Sequence, residues 1–427
     1  GHADLFEREP AQVGSMDVAG VRVVANPTAA AMALSFIAGG IALGTLSGLV
    51  PGLHVNTLAI LLASVAPAVP GDPHLVGAAM LAAGVVHSFL DIVPTLAIGV
   101  PDAAMAVSAL PGHRLVLGGR GREALRLSAL GSGGAVLVAI ALGVPVTLAM
   151  QRIAPVLVAH IRLVLAAVVV VLLVTERSQQ ARLGGFLALA ASGLLGVLTL
   201  DLQSGGLLPG GDMLLPLLSG LFGVPVLIQA AGGAGIPPQT GTTLSTTPRT
   251  LSIWSFLGAS SGAIVAYVPG VSAAVAAALA FVGLPGESGD RGFIVTVSGV
   301  NTANTVFALY ALVALGAPRT GVLVAFERAK LPPNLPLLLL AIVVAAAVAV
   351  VLVPTLGDRY FALVGRVGNT QLSVGVGALL ALLSWVFTGP LGVAVLLAAT
   401  AVGGIPIVFD ARRVHLMGVL FVPLAIG

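Results

Sequence analysis

The chain has 427 residues, of which 58% are hydrophobic and 8% charged, with a mean hydropathy of +1.10. Soluble domains carry about 25% charged residues, so a water-facing surface of this size is excluded and a multi-span membrane protein is the class that remains. The absence of cysteine excludes disulfides, thiolate metal sites and cysteine nucleophiles. The net charge of +3 comes from arginines scattered through short loops, with Lys330 the one lysine. No long basic tract occurs, and nucleic acid is not expected as a partner.

Residues 1–15 are polar and end in Gly14-Ser15 before Met16, the pattern of a cloning-derived tail. A first half, 16–231, then holds apolar runs near 29–50, 53–69, 75–110, 124–150, 153–174, 183–200 and 213–231. A Gly/Pro/Thr-rich linker covers 232–250. The second half, 251–427, holds runs near 251–268, 270–284, 292–316, 334–356, 372–387, 389–408 and 413–427. A full crossing takes about 20 residues, and 53–69, 270–284 and 372–387 are too short to cross unaided. No period-2 alternation suggests a barrel. The expected fold is an all-α polytopic membrane protein with about ten transmembrane helices and two Pro-Gly broken or re-entrant hairpins, built from two internal repeats. Arg114, Arg120, Arg122 and Arg126 place the loop around 111–126 in the cytoplasm, and Arg177 and Arg182 agree two crossings later. Arg152 and Arg162 conflict with that assignment.

The repeat is the most informative feature. Repeat 1 (about 28–126) reads Gly44-x3-Gly48, then Val50-Pro51-Gly52; repeat 2 (about 251–333) reads Gly258-x3-Gly262, then Val268-Pro269-Gly270. HSFLDIVPTLAIGVP from His87 aligns with NTVFALYALVALGAP from Asn304. An arginine-bearing loop follows each copy, which counts against the copies being inverted.

Each Pro-Gly pair breaks a helix, because proline removes a backbone donor and glycine permits the reversal. A helix restarting at about Leu53 has free N–H groups within the membrane, and these donors with the helix dipole favour an anion. The candidate anion site is therefore Pro51 and Gly52 with His54, Asn56 and Thr57, opposed by Pro269 and Gly270 with Ser272. A plain proline kink with satisfied polar groups is the competing reading of either break alone. Asp91 lies in an apolar run with His87 one helical turn before it, a pair suited to holding a proton or cation. Asn301, Thr302, Asn304 and Thr305 form its counterpart, either lining a cavity or Na⁺ site or acting as interhelical glue. Arg412, Arg413 and His415 read as an interfacial anchor. No HExxH or Walker A pattern occurs, so no catalytic or metal-binding residue is assigned and no cofactor is expected beyond a coupling Na⁺ or H⁺.

GTLSGLVPGLHVNTLAILLA, AYVPGVSAAVAAALAF, GDRGFIVTVSGVNTAN and the central GLFGVPVLIQ…IPPQ resemble the TctA-type permease family, the large membrane subunit of tripartite tricarboxylate transporters, in its short archaeal branch. The resemblance spans residues 28–427. It implies a secondary transporter of the cell membrane that takes up carboxylates on an ion gradient, with a small membrane subunit and an extracytoplasmic binding protein. It also implies an anion at Pro51-Gly52 and Pro269-Gly270 with Asn301 and Asn304 near it. The expected function is an H⁺- or Na⁺-coupled permease for a small organic anion, working by alternating access. A polyprenyl-phosphate translocase using the same anion site is the alternative, and a non-transporting membrane scaffold or enzyme subunit is a distant one.

Overall fold

The computed structural model describes residues 14–18, 21–51, 53, 55–98, 109–203, 205–208, 212–231, 237–241, 243–268, 273, 276 and 289–426. After a short antiparallel hairpin, β1 (Gly14–Val18) and β2 (Val21–Ala25), the described elements are helical. The first half comprises α1 (Pro27–Gly48), α2 (Val55–Val65), α3 (Pro73–Leu90), α4 (Ile92–Ile98), α5 (Ala109–Leu117), α6 (Gly121–Ala159), α7 (Ile161–Val174), α8 (Gln179–Thr199), α9 (Leu214–Leu218) and α10 (Val224–Ala231). The second comprises α11 (Pro248–Tyr267), α12 (Gly289–Leu315), α13 (Gly321–Arg328), α14 (Leu335–Val364), α15 (Asn369–Gly403), α16 (Ile405–Val408) and α17 (Gly418–Ile426). Starts follow capping chemistry: Asn26, Asp72, Ser178, Thr247 and Asn334 each accept a backbone N–H of the first turn, and proline occupies that turn in α1, α3, α11 and α14.

Eight helices among the described residues are long and apolar enough to cross a membrane, and three apolar stretches, 161–174, 214–229 and 413–426, are shorter. The expected division between 124–150 and 153–174 moves to His160. Helix α6 runs unbroken through Gln151 and Arg152 and tolerates Pro145 and Pro155. Helices α9 and α10 are joined by a π turn, Ser219–Gly223.

Three breaks are visible. Helix α1 stops at Gly48, a turn through Pro51 follows, and α2 begins at Val55, two residues later than expected. Helix α11 stops at Tyr267, directly before Val268-Pro269. Helix α15 is interrupted at Gly389, whose φ of 75° suits glycine, and Pro390 follows. Its second limb folds back, because Gly392 lies against the Ser384 carbonyl and the Thr388 side chain. The freed Val386 carbonyl accepts from the Leu207 and Leu208 amides at 2.7 and 3.1 Å.

Glycines set the packing. Gly40, Gly44 and Gly48 of α1 meet Ala79, Ala83 and His87 of α3, so the two helices run parallel with backbones in contact. Gly258 and Gly262 of α11 meet Thr296 and Val300 of α12 in the same parallel sense. The α3 and α12 helices themselves run antiparallel: Ser88 and Asp91 sit level with Asn301, while Leu96 and Ile294 both flank Gly112. Helix α6 follows α12, with Ser128 beside Ser298 and Gly143 beside Tyr310. Helix α14 runs against α6, with Gly357 on Leu125 and Gly133 on Val350.

The opposite senses of the two helix pairs correct the expectation drawn from the arginine loops. Arg114–Asp290, Arg291–Glu123 and Arg122–Asp358 gather at one end of the molecule. The segment after α12 lies at the other end, where His74 Nδ1 is 3.2 Å from the Pro332 carbonyl. The charge bias that orients a membrane protein is summed over many loops, so one basic loop does not fix a face. The end carrying Arg114, Arg120, Arg122, Arg126 and Arg291 is the one that the positive-inside bias would assign to the cytoplasm.

Candidate functional site

The innermost helices are α3 with α4 and α12, each 94% buried over its most apolar stretch. Their polar side chains therefore face protein. At the end of α3 the chain bends at Asp91, whose carbonyl accepts from the Thr95 hydroxyl at 2.7 Å, and continues as α4. The Asn301 amide of α12 donates to Asp91 Oδ2 at 2.9 Å and to the Ser88 carbonyl at 3.2 Å. Both amide hydrogens are thus committed to α3. One turn back, His87 Nδ1 lies 2.9 Å from the Ser47 hydroxyl of α1, and both groups are buried. Ser47 is the penultimate residue of α1, so the Pro51 break begins beside His87. In the second pair, Gly262 of α11 packs against the backbone of Val300 and Asn304, five residues before α11 ends.

Between α6 and α12 runs a ladder of hydroxyls. Ser128 and Ser298 are 2.8 Å apart, Ser132 donates to the Ser298 carbonyl at 3.1 Å, and the Thr302 hydroxyl lies 2.9 Å from Ser132 Oγ. Thr302 is thereby engaged in interhelical bonding, the second of the two roles open to it. At the end of α11, Tyr267 bonds Thr147 of α6. Thr305 is buried on α12, and Asn304 is half-buried with its Oδ1 lacking a partner among the described residues.

The structure therefore joins Asp91 to Asn301, places His87 on Ser47 and turns Thr302 toward α6. Pro51 is buried. Gly52, His54, Pro269, Gly270 and Ser272 lie outside the described residues, as do the side chains of Asn56 and Thr57 at the start of α2. Ser47, Ser88, Ser128, Ser132 and Ser298 were not singled out by the sequence. Only Ser47 had a local signal, its position beside Gly48 on the glycine face of α1. Among the described residues no three His, Asp or Glu side chains converge as a metal site.

Two further polar clusters lie at the ends of helices. Glu123 accepts from Arg120, Arg291 and the Ser245 amide, and Gln239 of the linker accepts from the Gly121 amide. Glu176, on the turn between α7 and α8, accepts from the Arg412 amide at 3.0 Å and its guanidinium at 2.9 Å, and pairs with His415 Nε2 at 2.7 Å. Burial pushes the Glu176 carboxyl up, but the Arg412 and His415 hydrogen bonds outweigh it and hold the carboxyl below its ordinary value. His415 is fully buried under Gly185, which corrects its reading as an interfacial anchor.

A protein-family comparison extends over this whole arrangement. The model of the tripartite tricarboxylate transporter TctA family matches residues 34–418, from the glycine face of α1 to the first residue of α17. An uncharacterised protein of Methanocaldococcus jannaschii is 27% identical over 238 residues, which is 55% of this chain and 57% of that protein. The aligned region thus spans little more than half of that relative's length. No solved structure matches. The family match takes in both helix pairs, the Asp91–Asn301 contact between them and the folded-back α15, and on that extent the chain belongs to the tripartite tricarboxylate transporter TctA family.

Proposed function

We propose that the chain is the permease subunit of a secondary transporter for a small organic anion, a di- or tricarboxylate, driven by H⁺ or Na⁺. The family supports a tricarboxylate-type permease, and the observation that carries the finer reading is the contact of Asn301 with Asp91. It links two glycine-packed helix pairs of opposite sense inside a buried core. Opposed pairs of this kind are what two inverted repeats produce, and transporters built so bind substrate where the repeats meet. The anion is assigned to the helix breaks at Pro51-Gly52 and Pro269-Gly270, with His54, Asn56, Thr57, Ser272 and Asn304 as donors. Asp91 and His87 hold the coupling cation, with Thr305 beside them. Movement of one helix pair against the other exposes the site to either side. A small membrane subunit and an extracytoplasmic binding protein complete the assembly in the cytoplasmic membrane.

The test is uptake of labelled di- and tricarboxylates into proteoliposomes under an imposed H⁺ or Na⁺ gradient. Uptake by the wild type and its loss in Asp91→Asn, with the variant still folded, are expected. Gradient-driven uptake by Asp91→Asn removes Asp91 from coupling. Normal substrate affinity in both Gly52→Leu and Gly270→Leu removes the anion from the breaks. Stabilisation by isoprenoid phosphates alone overturns the carboxylate assignment.

A further inference from the structure

Two hydrogen-bond contacts meet at Ser47. Its hydroxyl lies 3.1 Å from the Gly44 carbonyl on its own helix and 2.9 Å from His87 Nδ1 on α3. A hydroxyl has one hydrogen, and a carbonyl only accepts. If that hydrogen points at His87, the Gly44 contact carries none and one bond forms. If it points at Gly44, Nδ1 carries the ring hydrogen, Ser47 Oγ accepts it, and two bonds form. Ser47 is 5% exposed and His87 is fully buried, so an unmade polar contact between them is costly. The two-bond arrangement wins: Nδ1 bears the hydrogen, and the lone pair of the neutral ring is on Nε2.

This tautomer bears on which cation the site takes. Na⁺ is a hard cation that prefers oxygen ligands, whereas an imidazole lone pair suits a proton or a softer metal. Of the two Asp91 oxygens, Oδ2 accepts from the Asn301 amide at 2.9 Å, which places a donor hydrogen on it. Asp91 follows His87 by one helical turn, since its amide donates to the His87 carbonyl at 2.9 Å, so its carboxylate is placed to balance an imidazolium. Among the described residues no other ionisable group lies at this level. Helices α1, α2 and α4 have none, nor has the 292–309 stretch of α12. Arg122, Glu123 and Arg126 of α6 are at the arginine-rich end, as are Asp358, Arg359 and Tyr360 of α14, where Asp358 pairs with Arg122. Glu327 and Arg328 of α13 lie toward the other end, past the contact of Phe326 with Gly77.

We propose that the coupling ion is a proton taken up at His87 Nε2, and that Ser47 is the positioning residue that fixes the ring in the tautomer able to accept it there. The proposal rests on the permease reading above, in which His87 and Asp91 hold the coupling cation. On the side of higher proton activity, water gives a proton to Nε2 and the ring becomes a cation beside the Asp91 carboxylate. On the other side the proton returns to water. The Nδ1–H bond to Ser47 is kept in both states, so the ring takes and releases its proton without turning.

The first test is nitrogen NMR of the full chain in lipid nanodiscs with isotope-labelled histidine; the His87 signals are those missing from His87→Gln. The neutral ring is expected to carry its hydrogen on Nδ1 in the wild type and mainly on Nε2, the tautomer free imidazole side chains prefer, in Ser47→Ala. A hydrogen on Nε2 in the wild type, or an unchanged spectrum in Ser47→Ala, overturns the role of Ser47 whatever the chain transports. The second test is uptake of labelled citrate and succinate into proteoliposomes under a pH gradient or a Na⁺ gradient, each imposed alone, with proton entry read by a pH-sensitive dye in the lumen. Uptake with proton entry is expected under the pH gradient. In Ser47→Ala it should be about fivefold slower at neutral pH, with the profile displaced toward acid, because the charged ring loses an acceptor. Uptake driven by Na⁺ alone overturns the proton and leaves the permease reading intact. No uptake under either gradient removes that reading and the proton with it, while the ring spectrum still decides the role of Ser47.

Discussion

A double-mutant cycle on Asp91 and Asn301 tests whether the two helix pairs are energetically joined at their centre. Asn301 commits one amide hydrogen to Asp91 Oδ2 and the other to the Ser88 carbonyl. Asn301→Ala removes both of its bonds and Asp91→Ala removes the one that the two side chains share, so only that shared bond appears in the coupling term. A hydrogen bond between neutral groups of membrane helices averages about 0.6 kcal/mol. One to a charged group contributes about 1.5–3 kcal/mol. The cycle is therefore expected to return a coupling of about 0.6–3 kcal/mol. Asn301→Ala alone should cost more than that coupling, because the Ser88 carbonyl also loses its donor. The assay is reversible unfolding in mixed detergent micelles, monitored through tryptophan emission. A coupling indistinguishable from zero, with both single variants folded, would refute the claim that this contact ties the halves together.

Other expectations concern the packing and the periphery. A side-chain carbon on Gly44 would collide with the Ala83 carbonyl, whereas one on Gly39 has nothing within 4 Å. Gly44→Ala should therefore destabilise by about 1–3 kcal/mol and lower Tm, while Gly39→Ala should leave it unchanged or slightly raised. Because the Glu176 carboxyl is held below its ordinary value of 4.5, its stabilising contribution is complete above that pH and is lost as pH falls through the folded-state value. The Tm difference between wild type and Glu176→Gln should accordingly be largest near neutrality and close below about pH 4.5; a difference as large in strong acid as at neutral pH would contradict the assignment. Ser298→Ala should cost no more than about 1–2 kcal/mol in unfolding free energy, since only its hydroxyl bond to Ser128 is lost and the Ser298 carbonyl still accepts from Ser132 and Thr302.

The parts legible in the sequence were those with a strong local cause. Proline next to glycine deep in a long apolar run stops a helix, whereas Pro111-Gly112 in the first turn of α5 does not, so the ends of α1 and α11 and the interruption at Gly389 fell where the residues indicated. Asp91 was visible because an acid in an apolar run has few outlets. The sequence did not show that α6 continues past Gln151 and Arg152. Two polar residues look like a loop, yet they occupy an exposed turn toward the end of a 39-residue helix without breaking it. Nor did it show which hydroxyls pair across α6 and α12. A serine in a Gly/Ala-rich helix leaves the same trace whether it bonds its own backbone or a neighbour 170 residues away, as Ser128 and Ser298 do. The relative sense of the helix pairs was not legible because it depends on the number of crossings between them, which the broken segments made ambiguous.

The fold-back at Gly389 has a consequence for biogenesis. A chain that reverses within hydrocarbon strands a carbonyl, and none can stay unpaired there. The donors that meet it, the Leu207 and Leu208 amides, leave the ribosome long before Val386 is made. The earlier segment thus waits at the membrane as a ready socket for the later bend, and a chain whose 205–208 segment is deleted should stall with the segment from Gly389 onward held at the interface and be cleared by quality-control proteases.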